Sequence, residues 1–190
     1  SMVKMDIMIE DYIAMFPQVM LAFFESINII STPMGYLDVY FFSYLHLIIG
    51  ILAVGAGAGL LAGDEEKGIL DLVLAYPVSR TGLFLGRVFG LIVALVAVLA
   101  VGWLSWALPA GQVGLDLTPL ELLLPFIPLL AVLLLFSSLA LLLSMVMPAA
   151  RLAAMLAGAL LVGNYLVQGL SRLNEKLGTI IKYTPLYYYQ

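Results

Sequence analysis

Four long, nearly unbroken apolar stretches decide most of what this chain can fold into. They run from about Tyr36 to Ala62, from about Leu83 to Leu108, from Thr118-Pro119 to Met147, and from about Arg151 to Leu170. At about 1.5 Å of rise per residue, a helix over such a stretch reaches across a hydrocarbon core of roughly 30 Å. Barrel strands would alternate apolar and polar residues over about ten positions, and these stretches do not alternate. A bilayer core admits only backbones that satisfy their own hydrogen bonds. The expectation is therefore an all-α integral membrane protein, a helical bundle of four clear transmembrane helices forming one domain.

Composition removes the competing classes. The chain is 64% hydrophobic and 11% charged, with a mean hydropathy of +1.12, against roughly a quarter charged in a soluble domain. A soluble enzyme of 190 residues could not hide that much apolar surface. Eight basic against twelve acidic residues give a net charge of −4 and no basic face, so nucleic acid is not a partner. With no cysteine there is no thiolate metal site and no thiol nucleophile. With a single histidine and no HExxH, an intramembrane hydrolase has little to work with, and no metal site is expected.

The ends of the chain differ from its middle. Residues 1–35 mix Ile7, Ile9, Ile13, Phe16, Met20, Phe23 and Phe24 with Asp6, Glu10, Asp11 and Glu25. This amphipathic pattern, broken at Pro17, predicts one or two short helices, either lying at the external interface or packed as a cap on the bundle. Residues 171–190 turn polar and then tyrosine-rich, which predicts a second external interfacial segment. Orientation follows lysine and arginine. Lys67, Arg80 and Arg87 flank the link between the first two spans, Arg151 sits in the turn after Pro148, and the loop from Pro109 to Glu121 has no basic residue. Residues 63–82 and the Pro148 turn are thus predicted cytoplasmic and the 109–121 loop external. Arg172, Lys176 and Lys182 fall on the opposing side of that assignment.

Few polar residues lie within the spans. His46 sits in the first, and Asn164 and Gln168 lie four apart on one face of the fourth. Such groups line a pathway or bond a neighbouring helix. Gly55, Gly59 and Gly63, also four apart, form a ridge that lets another helix approach closely, either within the chain or across a dimer seam. Ala150, Ala154 and Gly158 form a second, weaker ridge. Pro125 and Pro128 are expected to bend the first half of the third span.

The most informative segment is the link, residues 63–80. It opens with Asp64-Glu65-Glu66-Lys67, breaks at Gly68, continues as the apolar run Ile69, Leu70, Leu72, Val73 and Leu74, and stops at Pro77 before Arg80. A two-turn helix from Ile69 to Ala75 that is this apolar either lies in the lipid headgroups or docks into a groove on a soluble partner.

This link resembles that of the ABC-2 type permeases of ABC transporters, in which a pattern like AxExExGTLxLLLxxPVSR separates two spans. Here the stretch Leu61 to Arg80 reads LAGDEEKGILDLVLAYPVSR, and Ser31-Thr-Pro-Met-Gly-Tyr-Leu-Asp38 and Tyr183-Thr-Pro-Leu-Tyr-Tyr188 are also similar to the family. Members usually have six spans, so the four counted here would lack the first and last. The resemblance implies a multi-pass subunit of a prokaryotic cell membrane, surrounded by lipid and paired with a second permease subunit as a homodimer. It further implies that the link is a coupling helix seated in a separate ABC ATPase subunit, which binds the ATP and Mg. Carried onto this chain, the coupling residues are Glu65, Glu66, Gly68, Leu70, Leu72, Pro77 and Arg80. The chain itself would have no catalytic residue and no cofactor, consistent with its lack of a Walker A lysine. The alternative is a stand-alone carrier or channel. Ion-coupled carriers keep acidic residues inside their spans, and the interiors of spans two to four have none.

Overall fold

The computed structural model describes Leu37 and residues 41–69, 75–77, 79–110 and 117–171. Among these the elements are helices: α1 (Ser43–Gly59), α2 (Ala62–Glu66), α3 (Arg80–Ala110), α4 (Pro119–Leu123), α5 (Phe126–Val146) and α6 (Ala150–Ser171). The architecture is a helical membrane bundle. α3, the α4–α5 segment and α6 are long and apolar enough to cross a membrane, and α1 is a shorter apolar helix. The expected amphipathic segment 1–35, residues 172–190 of the expected 171–190 tail and most of the expected Ile69–Ala75 helix lie outside the described residues.

The boundaries differ from the sequence expectation where glycine and proline act. The first span ends earlier than Ala62: α1 closes at Gly59, with the Leu60 N–H returning to the Gly57 carbonyl at 3.3 Å. The charged residues expected in a loop form the short α2 instead. α3 begins at Arg80 and runs through Pro109 to Ala110, because a proline in the last turn removes only one donor. The third span breaks into two helices at Leu124-Pro125, and Pro125 becomes the residue that starts α5. Pro128 follows in the first turn of α5, where a missing N–H has no intrahelical partner to lose. α4 starts on a capping box. The Thr118 hydroxyl accepts from the Glu121 N–H at 3.3 Å, and the Glu121 carboxylate accepts from the Thr118 N–H at 2.7 Å.

α5 is the centre of the bundle. It packs most extensively on α1, and α6 closes over both. Its buried residues, from Phe126 through Leu129, Leu133 and Phe136 to Ser144, run its whole length. Ser137 and Ser144 donate to carbonyls three residues back, at 3.2 and 2.7 Å, so their hydroxyls are satisfied in an apolar interior. Contacts along the seams fix direction. Phe42 meets Phe126 and Gly57 meets Ser137, so α1 and α5 run the same way. Gly50 faces Leu161 and His46 faces Tyr165, so α6 runs against α1. Gly102 faces Phe126 while Val88 and Ile92 lie across from Leu134 and Leu141, so α3 runs against α5. The bundle therefore has two distinct ends. One gathers Phe41, Phe42, Trp103, Trp106 and Phe126, and the other gathers Asp64, Glu66 and Arg87.

The closest approach to α1 within the described residues falls on a different face from the Gly55–Gly59–Gly63 ridge. Among the described residues, a Cβ on Gly55, Gly59 or Gly63 would meet nothing within 4 Å. The close approach falls at Gly57, where a Cβ would stand 2.2 Å from the Ser137 carbonyl oxygen. Gly57 is two residues from Gly55, about 200° around a helix, so the two lie on nearly opposite faces. Among the described residues, packing uses the Gly50, Ala53, Val54, Gly57 and Ala58 face, and none of them covers Gly55.

Candidate functional site

Among the described residues, most of the charged side chains collect at one end, around α2. This helix carries Asp64, Glu65 and Glu66 within a single turn and a half, and two of the three reach other elements. The Asp64 carboxylate pairs with the Arg87 guanidinium of α3 at 2.5 Å. The other arm of Arg87 donates to the Leu60 carbonyl at 2.6 Å. That carbonyl lies just past the end of α1, where helix carbonyls lack intrahelical donors. One arginine thus ties the first half of α3 to the corner between α1 and α2. The side chains of Arg87 and Asp64 are 18% and 30% exposed, so the pair is largely but not wholly removed from solvent.

Glu66 reaches further along the chain. Its carboxylate accepts a hydrogen bond from the Ala150 N–H at 2.7 Å. α6 opens on Pro148-Ala149-Ala150, with no Ser, Thr, Asp or Asn in position to cap its first turn. Glu66 supplies the missing acceptor across the fold, and its negative charge sits at the positive end of the α6 dipole. Glu66→Ala is expected to lower bundle stability by ~1 kcal/mol, read as a fall of about 2–4 °C in the thermal midpoint of the detergent-solubilised protein. Glu66→Gln, which keeps an acceptor oxygen, is expected to lose less than half of that.

Beyond α2 the chain turns on Gly68. Its φ of +67° is the only positive value among the described residues, and its N–H bonds to the Glu65 carbonyl at 3.0 Å. This left-handed residue just past a helix end is the place where glycine is favoured. Glu65, Lys67, Ile69, Tyr76, Pro77 and Arg80 are all exposed. Two large apolar side chains, Ile69 and Tyr76, are therefore presented outward on the same link as the acidic turn. Leu70 and Leu72 lie outside the described residues. Of the residues singled out from sequence, the structure brings Glu65, Glu66 and Gly68 onto one corner. It gives Glu66 an internal partner that spacing did not suggest. Arg87 and Asp64 were not singled out as site residues; the signal available was one arginine inside the first turns of an apolar helix, which needs an acceptor.

His46, Asn164 and Gln168 belong to a different region. His46 is buried, with Nδ1 3.2 Å from the Phe42 carbonyl one turn back, and its ring lies 5.3 Å from that of Tyr165. A carbonyl oxygen only accepts, so Nδ1 carries the proton. Gln168 is buried one turn beyond Tyr165 on α6, and Asn164 is half-buried beside it. The Asn164 Oδ1 is sealed from solvent and makes no hydrogen bond to the described residues. These groups form a polar seam between α1 and α6, inside the packed part of the chain.

Residues 1–176 match the family model described as ABC-2 family transporter protein. No curated protein and no solved structure matches the chain.

Proposed function

The chain belongs to the ABC-2 transporter family, and from that premise we propose how it works as the multi-pass membrane permease of an ABC transporter. In this reading the link from α2 to the start of α3 is the cytoplasmic coupling element, received in a cleft of a separate ABC ATPase subunit. ATP and Mg belong to that partner. The permease contributes exposed Glu65, Ile69, Tyr76 and Arg80, the run through Leu70 and Leu72, and the Gly68 and Pro77 turns that bound it.

The observation that carries this reading is the combination of exposure and anchoring at one corner. Ile69 and Tyr76 point away from the bundle, whereas Asp64 and Glu66 on the same link are fastened to α3 and α6. A free loop would absorb a push from a partner. A link clamped to two membrane helices passes the push on as a rigid-body shift. His46, Asn164 and Gln168 are the polar groups available along the helix seam for a pathway. A second copy of the subunit completes the assembly in this reading, and the open Gly55–Gly59–Gly63 edge of α1 offers a surface where another helix can close to backbone distance.

The test is reconstitution. The subunit is co-expressed with a candidate ABC ATPase subunit from the same genome, purified as a complex and placed in lipid vesicles. Co-purification, with ATP hydrolysis raised several-fold over the isolated ATPase, is the expected result. Transport by the subunit alone, with no ATPase present, would overturn the reading in favour of a stand-alone carrier or channel.

A further inference from the structure

α3 is held unevenly along its length. Its buried residues are Leu95, Leu99 and Ala110, and residues 80–94 include none. Toward the aromatic end the helix is well anchored. Trp106 packs edge-on against Phe41 at 5.2 Å, the Trp103 indole N–H donates to the Pro119 carbonyl at 2.9 Å, and a Cβ on Gly102 would already stand 3.3 Å from the Phe126 ring. Toward the charged end the picture reverses. A Cβ on Gly86 or Gly90 would meet nothing within 4 Å. There α3 and α5 are parted by a groove of about 420 Å³, lined by Val88, Leu91 and Ile92 on one side and by Leu134, Ser138 and Leu141 on the other. Among the described residues, the polar attachment that crosses from this half of α3 to the rest of the bundle is Arg87, on Asp64 and the Leu60 carbonyl.

We propose that α3 is a hinged gate, pivoting at the aromatic end and latched at the charged end by Arg87. A packed core does not deform gradually, because its contacts are lost together. An ion pair at the margin of the bundle can open without unpacking anything. With the latch closed, α3 lies along α5 and the groove is a narrow cleft. With it open, the first half of α3 swings outward about Trp103 and Trp106, and the groove opens sideways to the lipid. Arg87 is then a positioning residue that sets the gate. This inference stands on the packing of the chain itself and does not depend on an ATPase partner.

The absence of cysteine allows a direct test by paired spin labels in the full protein in lipid nanodiscs. One pair, Phe89→Cys with Leu142→Cys, places labels on exposed positions across the groove. A second pair, Val101→Cys with Ile127→Cys, does the same at the pivot. In Arg87→Gln the first distance is expected to broaden and lengthen by on the order of 5 Å, about half a helix–helix spacing, while the second stays fixed. Asp64→Asn, which leaves the arginine in place, is expected to give the same split and serves if Arg87→Gln does not insert. An unchanged groove distance in these variants overturns the proposal. So does an equal lengthening of both pairs, which would mean general loosening without a hinge.

Discussion

Gly57→Leu is expected to abolish the folded bundle. At this position α1 and α5 approach to backbone distance: an added Cβ would lie 2.2 Å from the Ser137 oxygen and 2.9 Å from both its carbonyl carbon and its Cα. Relief cannot come from rotating a side chain, because every one of those atoms is main chain. The helices must separate, and α1 with α5 is the most extensive contact among the described helices. Overpacking a core by a single methyl group costs about 1–3 kcal/mol, and leucine adds three carbons more. Against a total stability of roughly 5–15 kcal/mol, Gly57→Ala should leave a weakened protein and Gly57→Leu none. The matched controls are Gly55→Ala and Gly59→Ala, whose Cβ atoms would enter open space. In an isolated chain they should be neutral, or better than neutral by up to ~1 kcal/mol from helix propensity. Monodisperse yield after detergent extraction and the thermal midpoint together read the series. A folded Gly57→Leu protein would show that α1 and α5 do not pack through this face.

The same glycines show what was legible in the sequence and why the rest was not. Helix existence was legible, because uninterrupted apolar length is set by the bilayer and needs no tertiary knowledge. Three of the expected spans correspond to α3, α4–α5 and α6 within a few residues, and the first to the shorter α1. Which face of α1 packs was not legible from one motif. The Gly55–Gly59–Gly63 spacing marks a surface where a helix can approach, without saying whether a partner lies in the same chain. The face actually used carries Gly50, Ala53, Val54 and Gly57, a 3–4–7 pattern that was equally visible but interleaved with the first. In a helix that is apolar all round, polarity gives no contrast to choose between two such faces.

The charged corner was half legible for a related reason. The acidic cluster was bound to lie outside the hydrocarbon, so its place at the end of a helix followed from solvation alone. Its partners did not follow. The Glu66 bond to the Ala150 N–H joins positions 84 residues apart. No local pattern encodes such a contact, although the lack of a capping side chain at Ala149 left a vacancy that something had to fill. Likewise, Arg87 was read as a marker of sidedness, whereas the structure uses it as a tie between α3 and the end of α1.

Leu72→Asp is expected to remove stimulation of the partner ATPase while leaving the permease inserted and folded. Leu72 lies outside the described residues, and the expectation rests on the sequence of the link, where Leu72 is in the middle of an apolar run bounded by Gly68 and Pro77. If that run seats in an apolar cleft of the ATPase, a carboxylate there must be desolvated without a partner. A cost of ~3 kcal/mol weakens the contact roughly a hundredfold. If the run lies in the headgroup layer instead, aspartate is merely solvated at the surface, and hydrolysis by the complex is unchanged. Leu72→Met keeps volume and apolarity and should retain nearly full stimulation. Extending the series to Asp64→Asn separates contact from transmission. That variant loosens the Arg87 tie while leaving the exposed face of the link intact, so it should still bind the ATPase and yet lose part of the stimulated rate. Binding lost in Leu72→Asp and retained in Asp64→Asn would place recognition in the apolar run and force transfer in the ion pair behind it. Full stimulation in Leu72→Asp would remove the coupling role from this segment altogether.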